Sequence, residues 1–302
     1  RMTDERTRSR WPVRDWIPGY RKEWLAADVA AGITTAAVVV PKGLAFATIA
    51  GLPLQAGLAT AFVPAVLYAL LGASRPLSIS TTTTIAILAG AQVSTLAPEG
   101  SGVSPLTVAA TLSVVVGAVL LVARLLRLGA VADLISDPVL TGFKAGIGLV
   151  IIVDQIPKLL GVHLAKAGWL RDLVSIVRHL GETHLATLLV GAGLLAAIFL
   201  VERFAPKLPG PLLAVVAAIA ASSALGLAAM GVATVGNVPA GFPPLTLPNL
   251  SLVGELWPGA IGIALMSFIE TVAVGRAFRE RSEPQPDPDR ELVALGAANV
   301  AG

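Results

Sequence analysis

Apolar residues in this chain come in blocks rather than in stripes. Alanine, valine, leucine, isoleucine and glycine fill stretches of about 17 to 23 residues, the length an α-helix needs to cross the hydrocarbon of a bilayer. Eight such elements are predicted, at 28–50, 55–73, 77–97, 104–123, 138–156, 185–201, 209–230 and 256–277. The connections between them are mostly short. The period-two alternation of a membrane β-barrel is absent, so the blocks read as helices.

Composition agrees with the pattern. Of 302 residues, 55% are hydrophobic and only 14% charged, with a mean hydropathy of +0.79, far from a soluble globular domain. The chain is therefore expected to be an all-α polytopic membrane protein. It has no cysteine, which excludes a disulfide scaffold, Cys-ligated metals and thiol catalysis together. Residues 1–27 form an expected cytoplasmic and interfacial lead-in, with the membrane region at 28–302. The stretch WPVRDWIPGYRKEW mixes aromatic rings with cations, as a segment at headgroup level does. It lacks the apolar core and cleavage site of a signal peptide, which leaves the first span as the targeting element.

Charge gives the orientation. With the N-terminus in the cytoplasm, most of the 22 basic residues fall in inner segments, and Lys42 and Lys144 lie within spans. Lys158, Lys166, Arg171 and Arg178 would be outside, all in the longer segment 157–184, where a short surface helix would keep them in water or headgroups. This asymmetry follows the positive-inside rule and places the protein in the plasma (inner) membrane. It also accounts for the net charge of +3 and the pI near 9.5, so no nucleic-acid partner is required. Trp11, Trp16, Trp24, Trp169 and Trp257 fall at or beyond span ends, where they anchor the chain.

Three places carry candidate chemistry. Span three opens as ASRPLSISTTTT, with Pro76, the extended-looking PLSI and five successive hydroxyl residues, Ser80 to Thr84. Four extended residues cover about 13 Å, so the helix that follows can begin well inside the bilayer, exposing unpaired N–H groups and the positive end of its dipole to an anion. Interrupted helices of this kind mark substrate sites in secondary transporters. The competing reading is a fully helical span whose threonines bond back to their own turn.

Lys42 lies mid-span directly after Pro41, which is expected to bend or break the first helix. It is roughly 12 Å along the axis from the span end at Gly51, too far to snorkel. Glu270 is the third place, in IGIALMSFIETVAVGRAF near the middle of span eight, where an ionisable group signals function. Aligning Gly259 with Gly32 sets Glu270 opposite Gly43, next to Lys42, as an inverted repeat would. The two could then pair in the empty site, with an anion competing for the lysine.

Other polar positions weigh less. Lys144 and Asp154 lie near the two ends of span five and can snorkel. His163, His179 and His184 lack metal-ligand spacing and read as surface residues, so no metal site or cofactor is expected. There is no P-loop, no G-x-S-x-G and no H-E-x-x-H, and no nucleophile and base constellation, so an enzyme is disfavoured.

The run DVAAGITTAAVVVPKGLAFATIAGLPLQAGLATAFVPAVLYALLGASRPLSIS closely resembles the signature of the sulfate permease (SulP) family of anion transporters. DPVLTGFKAGIGLVI resembles that family's fifth span, APKLPGPLLAVV its sixth-to-seventh connection and FIETVAVGRAF its eighth span. The resemblance covers roughly residues 20 to 302. It implies a fold of two inverted seven-span repeats divided into core and gate domains, of which this sequence holds the first repeat and the start of the second. It ends at ELVALGAANVAG, where members continue into the ninth span, then a tenth whose half-helix faces that of span three, and usually a cytoplasmic STAS domain, absent here.

By the same resemblance, substrate binding would fall to Lys42 and Phe46 of span one, to Ser80, Thr81 and Thr82 at the start of span three, and to Glu270 of span eight. Two departures stand out: Lys42 replaces the family's usual glutamine, and Ser80-Thr81 replaces its Gly-Pro. The implied function is secondary transport of sulfate, bicarbonate or a dicarboxylate by alternating access, coupled to H⁺ or Na⁺ or to exchange. The implied partners are a small anion, the lipid bilayer and a second copy of the chain. A channel-like or non-transporting anion-binding module is the alternative. A nucleobase permease of the same architecture is disfavoured by the S-R-P-L-S-I and P-K-G-L-A-F-A patterns.

Overall fold

The computed structural model describes residues 18–74, 77–98, 100–134, 137–162, 164, 169–206, 208–234, 241, 245–279 and 285–302. The lead-in through residue 17, Arg75 and Pro76, His163 and Lys166, and the side chains of Lys144, Asp154 and Trp169 lie outside that description. Among the described residues the chain is helical, with no strand.

Ten α-helices follow in chain order: α1 Leu25–Ile49, α2 Leu54–Leu71, α3 Thr83–Leu96, α4 Pro105–Leu125, α5 Asp137–Leu160, α6 Trp169–Arg178, α7 Leu185–Phe204, α8 Gly210–Leu225, α9 Val253–Ala277 and α10 Pro288–Ala301. Among the described residues five helical stretches are long and apolar enough to cross a membrane: Lys22–Ile49, Leu54–Leu71, Pro105–Leu125, Leu185–Phe204 and Leu250–Ala277. α3 and α8 are shorter apolar helices, and α5 occupies the expected fifth span. Each predicted span thus holds a helix.

Two features, the course of α1 and the end of α8, differ from expectation for identifiable reasons. α1 runs unbroken through Pro41, because a proline removes one donor from a helix whose other turns stay bonded, a loss tolerated within membrane helices. α8 stops at Leu225 because Gly226 adopts the left-handed conformation (φ 61°) and caps it. α3 starts at Thr83, so residues 77–82 before it are not helical. The short helix expected in the 157–184 segment is α6.

The chain divides into two units. One comprises residues 39–140 and 237–302 with 1–25; the other comprises 26–38 and 141–236. In the first, α4 packs against α9 and α10, α3 against α4 and α9, and α2 against α10. Val108, Leu112, Val116 and Leu120 recur every four residues along α4 and meet Leu256, Ala260, Ile263, Ala264, Phe268 and Val272 of α9 and Leu292 and Leu295 of α10. That spacing is one helix face. Lipid tails are as apolar as leucine, so close packing rather than water exclusion holds such helices together, and small residues permit it. A Cβ on Gly117 of α4 would stand 2.7 Å from the Gly296 carbonyl oxygen of α10. In the second unit α7 packs against α8.

Candidate functional site

The site grows from a change of backbone at Thr82. Its backbone is extended (φ −102°, ψ 162°), and its hydroxyl accepts the N–H of Ile85 at 3.3 Å, the bond of an N-cap. The run of β-branched and hydroxyl residues therefore ends one segment and starts the next helix, as those residue types favour. α3 accordingly presents its first-turn N–H groups and the positive end of its dipole beside residues 77–82. The fully helical reading of this span does not hold.

Two helices bring opposite charges to that segment. Lys42 of α1 donates from Nζ to Ser80 Oγ at 3.3 Å, and its ammonium lies 5.4 Å from the ring centroid of Phe46, one turn further along α1. Phe46 is buried at 8% exposure. Glu270 of α9 accepts from the Thr82 hydroxyl, Oγ1 to Oε2, at 3.1 Å. Lys42 and Glu270 are both half-buried and act on each other electrostatically. Among the described residues no ion pair links them; each charge rests on a hydroxyl of the same extended segment. The structure thus brings five of the expected residues together through named contacts, and Thr81 lies between Ser80 and Thr82, partly buried.

Close helix approach sets the position of Lys42. A Cβ on Gly43 would stand 2.8 Å from the Gly57 carbonyl oxygen of α2. On α3, a Cβ on Gly90 would stand 2.8 Å from the carbonyl oxygen of Ile49 at the end of α1. α1 is therefore in backbone contact with α2 beside the lysine, and with α3 at its own C-terminal end.

One buried carboxylate was passed over in reading the sequence. Glu291 in the first turn of α10 is 1% exposed. It accepts from the Tyr68 hydroxyl at 3.0 Å and from the backbone at Ala73 and Ser74, tying α10 to the turn after α2 that leads to the extended segment. Its signal was a carboxylate, the last of Asp287, Asp289 and Glu291, directly before the apolar run LVALGAANVA. His184, expected at the surface, is instead half-buried and caps α7, accepting from the Thr187 N–H at 3.3 Å. His179 lies against the Ser175 carbonyl at 2.8 Å.

A helix that starts within an apolar stretch, beside an ammonium and a carboxylate, is an arrangement that in membrane proteins marks a candidate substrate site. Residues 25–302 match the model of the sulfate permease family, and the chain belongs to that family. It is 37% identical over 296 residues to a protein of Mycobacterium tuberculosis named "Probable sulfate transporter", covering 95% of this chain and 52% of that one. It is 31% identical over 315 residues to human solute carrier family 26 member 6, covering 96% and 42%. The chain spans about half the length of these relatives.

Among solved structures, murine Solute Carrier 26 family member A9, an anion transporter in the inward-facing state, matches with TM-score 0.73 at 24% identity, over 99% of this chain and 55% of that one. The transmembrane domain of the cyanobacterial bicarbonate transporter BicA matches with TM-score 0.64 at 22% identity, over 93% and 72%. The fold is theirs: the first seven-span repeat and the start of the second of the 7+7 inverted-repeat architecture.

Proposed function

We propose that this chain carries the first part of the transport domain of a secondary anion transporter, with residues 28–302 in the membrane and 1–27 as an interfacial lead-in. Membership of an anion-transporter family supports the class. The observation that carries the site is the pair of hydroxyl bonds at the start of α3: Lys42 on Ser80 and Glu270 on Thr82, flanking a helix N-terminus. A small anion would bind there, on the Lys42 ammonium and the free N–H groups of α3, against the Phe46 ring. Sulfate, bicarbonate or a dicarboxylate fits that chemistry. A helix N-terminus alone favours any anion, and Lys42 adds a full charge to it.

Glu270 is the coupling group in this reading. An anion arriving at Lys42 repels the nearby carboxylate, and protonating that carboxylate removes the repulsion, so anion and proton bind better together than apart. The charge asymmetry of the loops supports a plasma-membrane location with the N-terminus in the cytoplasm. Alternating access requires bodies that move as units, and we assign residues 39–140 and 237–302 to the core and 141–236 with 26–38 to the gate.

Uptake of labelled sulfate, bicarbonate, chloride and fumarate into vesicles holding the intact transporter, with and without H⁺ and Na⁺ gradients, tests the proposal. One anion should accumulate faster with an inward proton gradient, and Glu270→Gln should abolish that acceleration. Undiminished proton-driven uptake by the variant would sink the coupling role. Anion binding without coupled flux would instead show a binding module.

A further inference from the structure

α6 has an apolar side that packing within its own unit only partly covers. At about 100° per residue, Leu173 and Ile176 share one side of the helix, and Ile176 is buried. About a quarter-turn on, Leu170, Val174 and Val177 form a second apolar stripe, exposed at 70%, 51% and 66%. A further quarter-turn brings Arg171 and Arg178, both exposed, and Ser175 and Asp172 then close the circle. Among the described residues no ion pair takes up either guanidinium.

That order of faces decides what the helix meets. The exposed aliphatic stripe belongs in hydrocarbon and the edge of Ser175 and Asp172 in water, so the two arginines between them lie at the level of lipid phosphates. Leu170, Arg171, Val174, Ser175, Arg178 and His179 line an open groove of about 440 Å³ on this side. One wall of it is aliphatic and the other carries two guanidiniums, a lining that suits an amphiphile better than a free ion.

We propose that α6 lies along the membrane surface and binds an anionic phospholipid, its phosphate on Arg171 and Arg178 and its acyl chains beside Leu170 and Val174. Two cations facing one phosphate call for a headgroup of net negative charge, because a zwitterionic one would bring its own ammonium against them. The helix belongs to the unit of residues 26–38 and 141–236, which does not contain Lys42, Ser80 or Glu270. The lipid is therefore a tether of that unit and not the transported anion. The inference rests on the chain spanning a membrane and not on the anion site.

Two measurements on the intact protein test it, and neither uses flux, so failure of the transport reading would leave both decisive. In the first, thermal unfolding in neutral detergent is followed while dioctanoyl phosphatidylglycerol, dioctanoyl phosphatidylcholine or inorganic phosphate is added. Phosphatidylglycerol should raise the melting temperature of the wild type, because a ligand that binds the folded protein stabilises it, and the other two should not. Arg171→Gln with Arg178→Gln should raise the lipid concentration needed by about ten-fold or more, at roughly a factor of five for each charge. Arg171→Lys with Arg178→Lys should keep most of the response. Equal stabilisation by phosphatidylcholine or by phosphate, none by phosphatidylglycerol, or an unchanged response of the glutamine variant overturns the proposal.

In the second, a fluorophore is attached to Val174→Cys or to Ser175→Cys, each the single thiol of a chain without cysteine, in vesicles of phosphatidylcholine and phosphatidylglycerol. Spin-labelled lipid should quench the first, and aqueous iodide the second. Iodide quenching at both positions would take α6 off the membrane and overturn the proposal.

Discussion

Thr82 carries two bonds with one oxygen. It accepts from the Ile85 N–H as the N-cap of α3 and donates its hydrogen to Glu270, so it fixes the start of the helix and aims the carboxylate at once. Losing an N-cap costs about 0.5–2 kcal/mol, and losing a hydrogen bond to a charged group costs about 1.5–3 kcal/mol. Thr82→Ala should therefore weaken anion binding by about ten-fold or more. Thr82→Ser keeps both bonds and should stay near the wild type. Titration of the purified protein with sulfate or bicarbonate checks the pair, and equal losses in both variants would contradict the double role. The run from Ser80 to Thr84 made a helix start legible in the sequence, because hydroxyl residues compete with helix interiors and favour caps. Which of the five would cap was not legible, since each could. Nor could the partner be read: Thr82 and Glu270 are 188 positions apart.

Helices hold these residues in register through glycine. A Cβ on Gly57 of α2 would run into the backbone of Gly43 and stand 2.8 Å from Ala47 Cβ, both on α1. The overlap is with backbone, which no rotamer change relieves, so α1 and α2 must separate and carry Lys42 away from Ser80. Gly57→Ala should destabilise the protein by about 1–3 kcal/mol, as overpacking does, and abolish uptake. Gly32→Ala on the same helix α1, where a Cβ meets nothing within 4 Å, should be harmless or slightly stabilising. Thermal unfolding and labelled-anion uptake on the two variants make the comparison. The spans themselves were readable from apolar block length, and their helical state followed. The course of α1 was not, because Pro41 looks the same in sequence whether its helix breaks or continues. The Glu291 and Tyr68 bond was equally hidden: 223 positions separate them, and neither sits in a periodic pattern that points to the other.

At the scale of the whole molecule, orientation decides which face of the site meets which solution, and it rests on charge alone. Basic residues cluster in the loops after spans two, four, six and eight and in the N-terminal segment, and the energetics of insertion keep such loops in the cytoplasm. The absence of cysteine makes this directly measurable, because any cysteine introduced is the single thiol of the chain. Ser101 before α4 and Ser251 before α9 are exposed and belong to loops expected outside. Leu126 after α4 and Phe204 at the end of α7 are exposed too, at 63% and 77%, and flank the basic residues Arg127 and Arg203 expected inside. Cysteines at positions 101 and 251 should react with a membrane-impermeant maleimide on intact cells. Those at 126 and 204 should react only after permeabilisation. The reverse pattern would invert the protein, place the 157–184 segment with α6 in the cytoplasm, and turn the proton gradient proposed to act through Glu270 against uptake rather than with it.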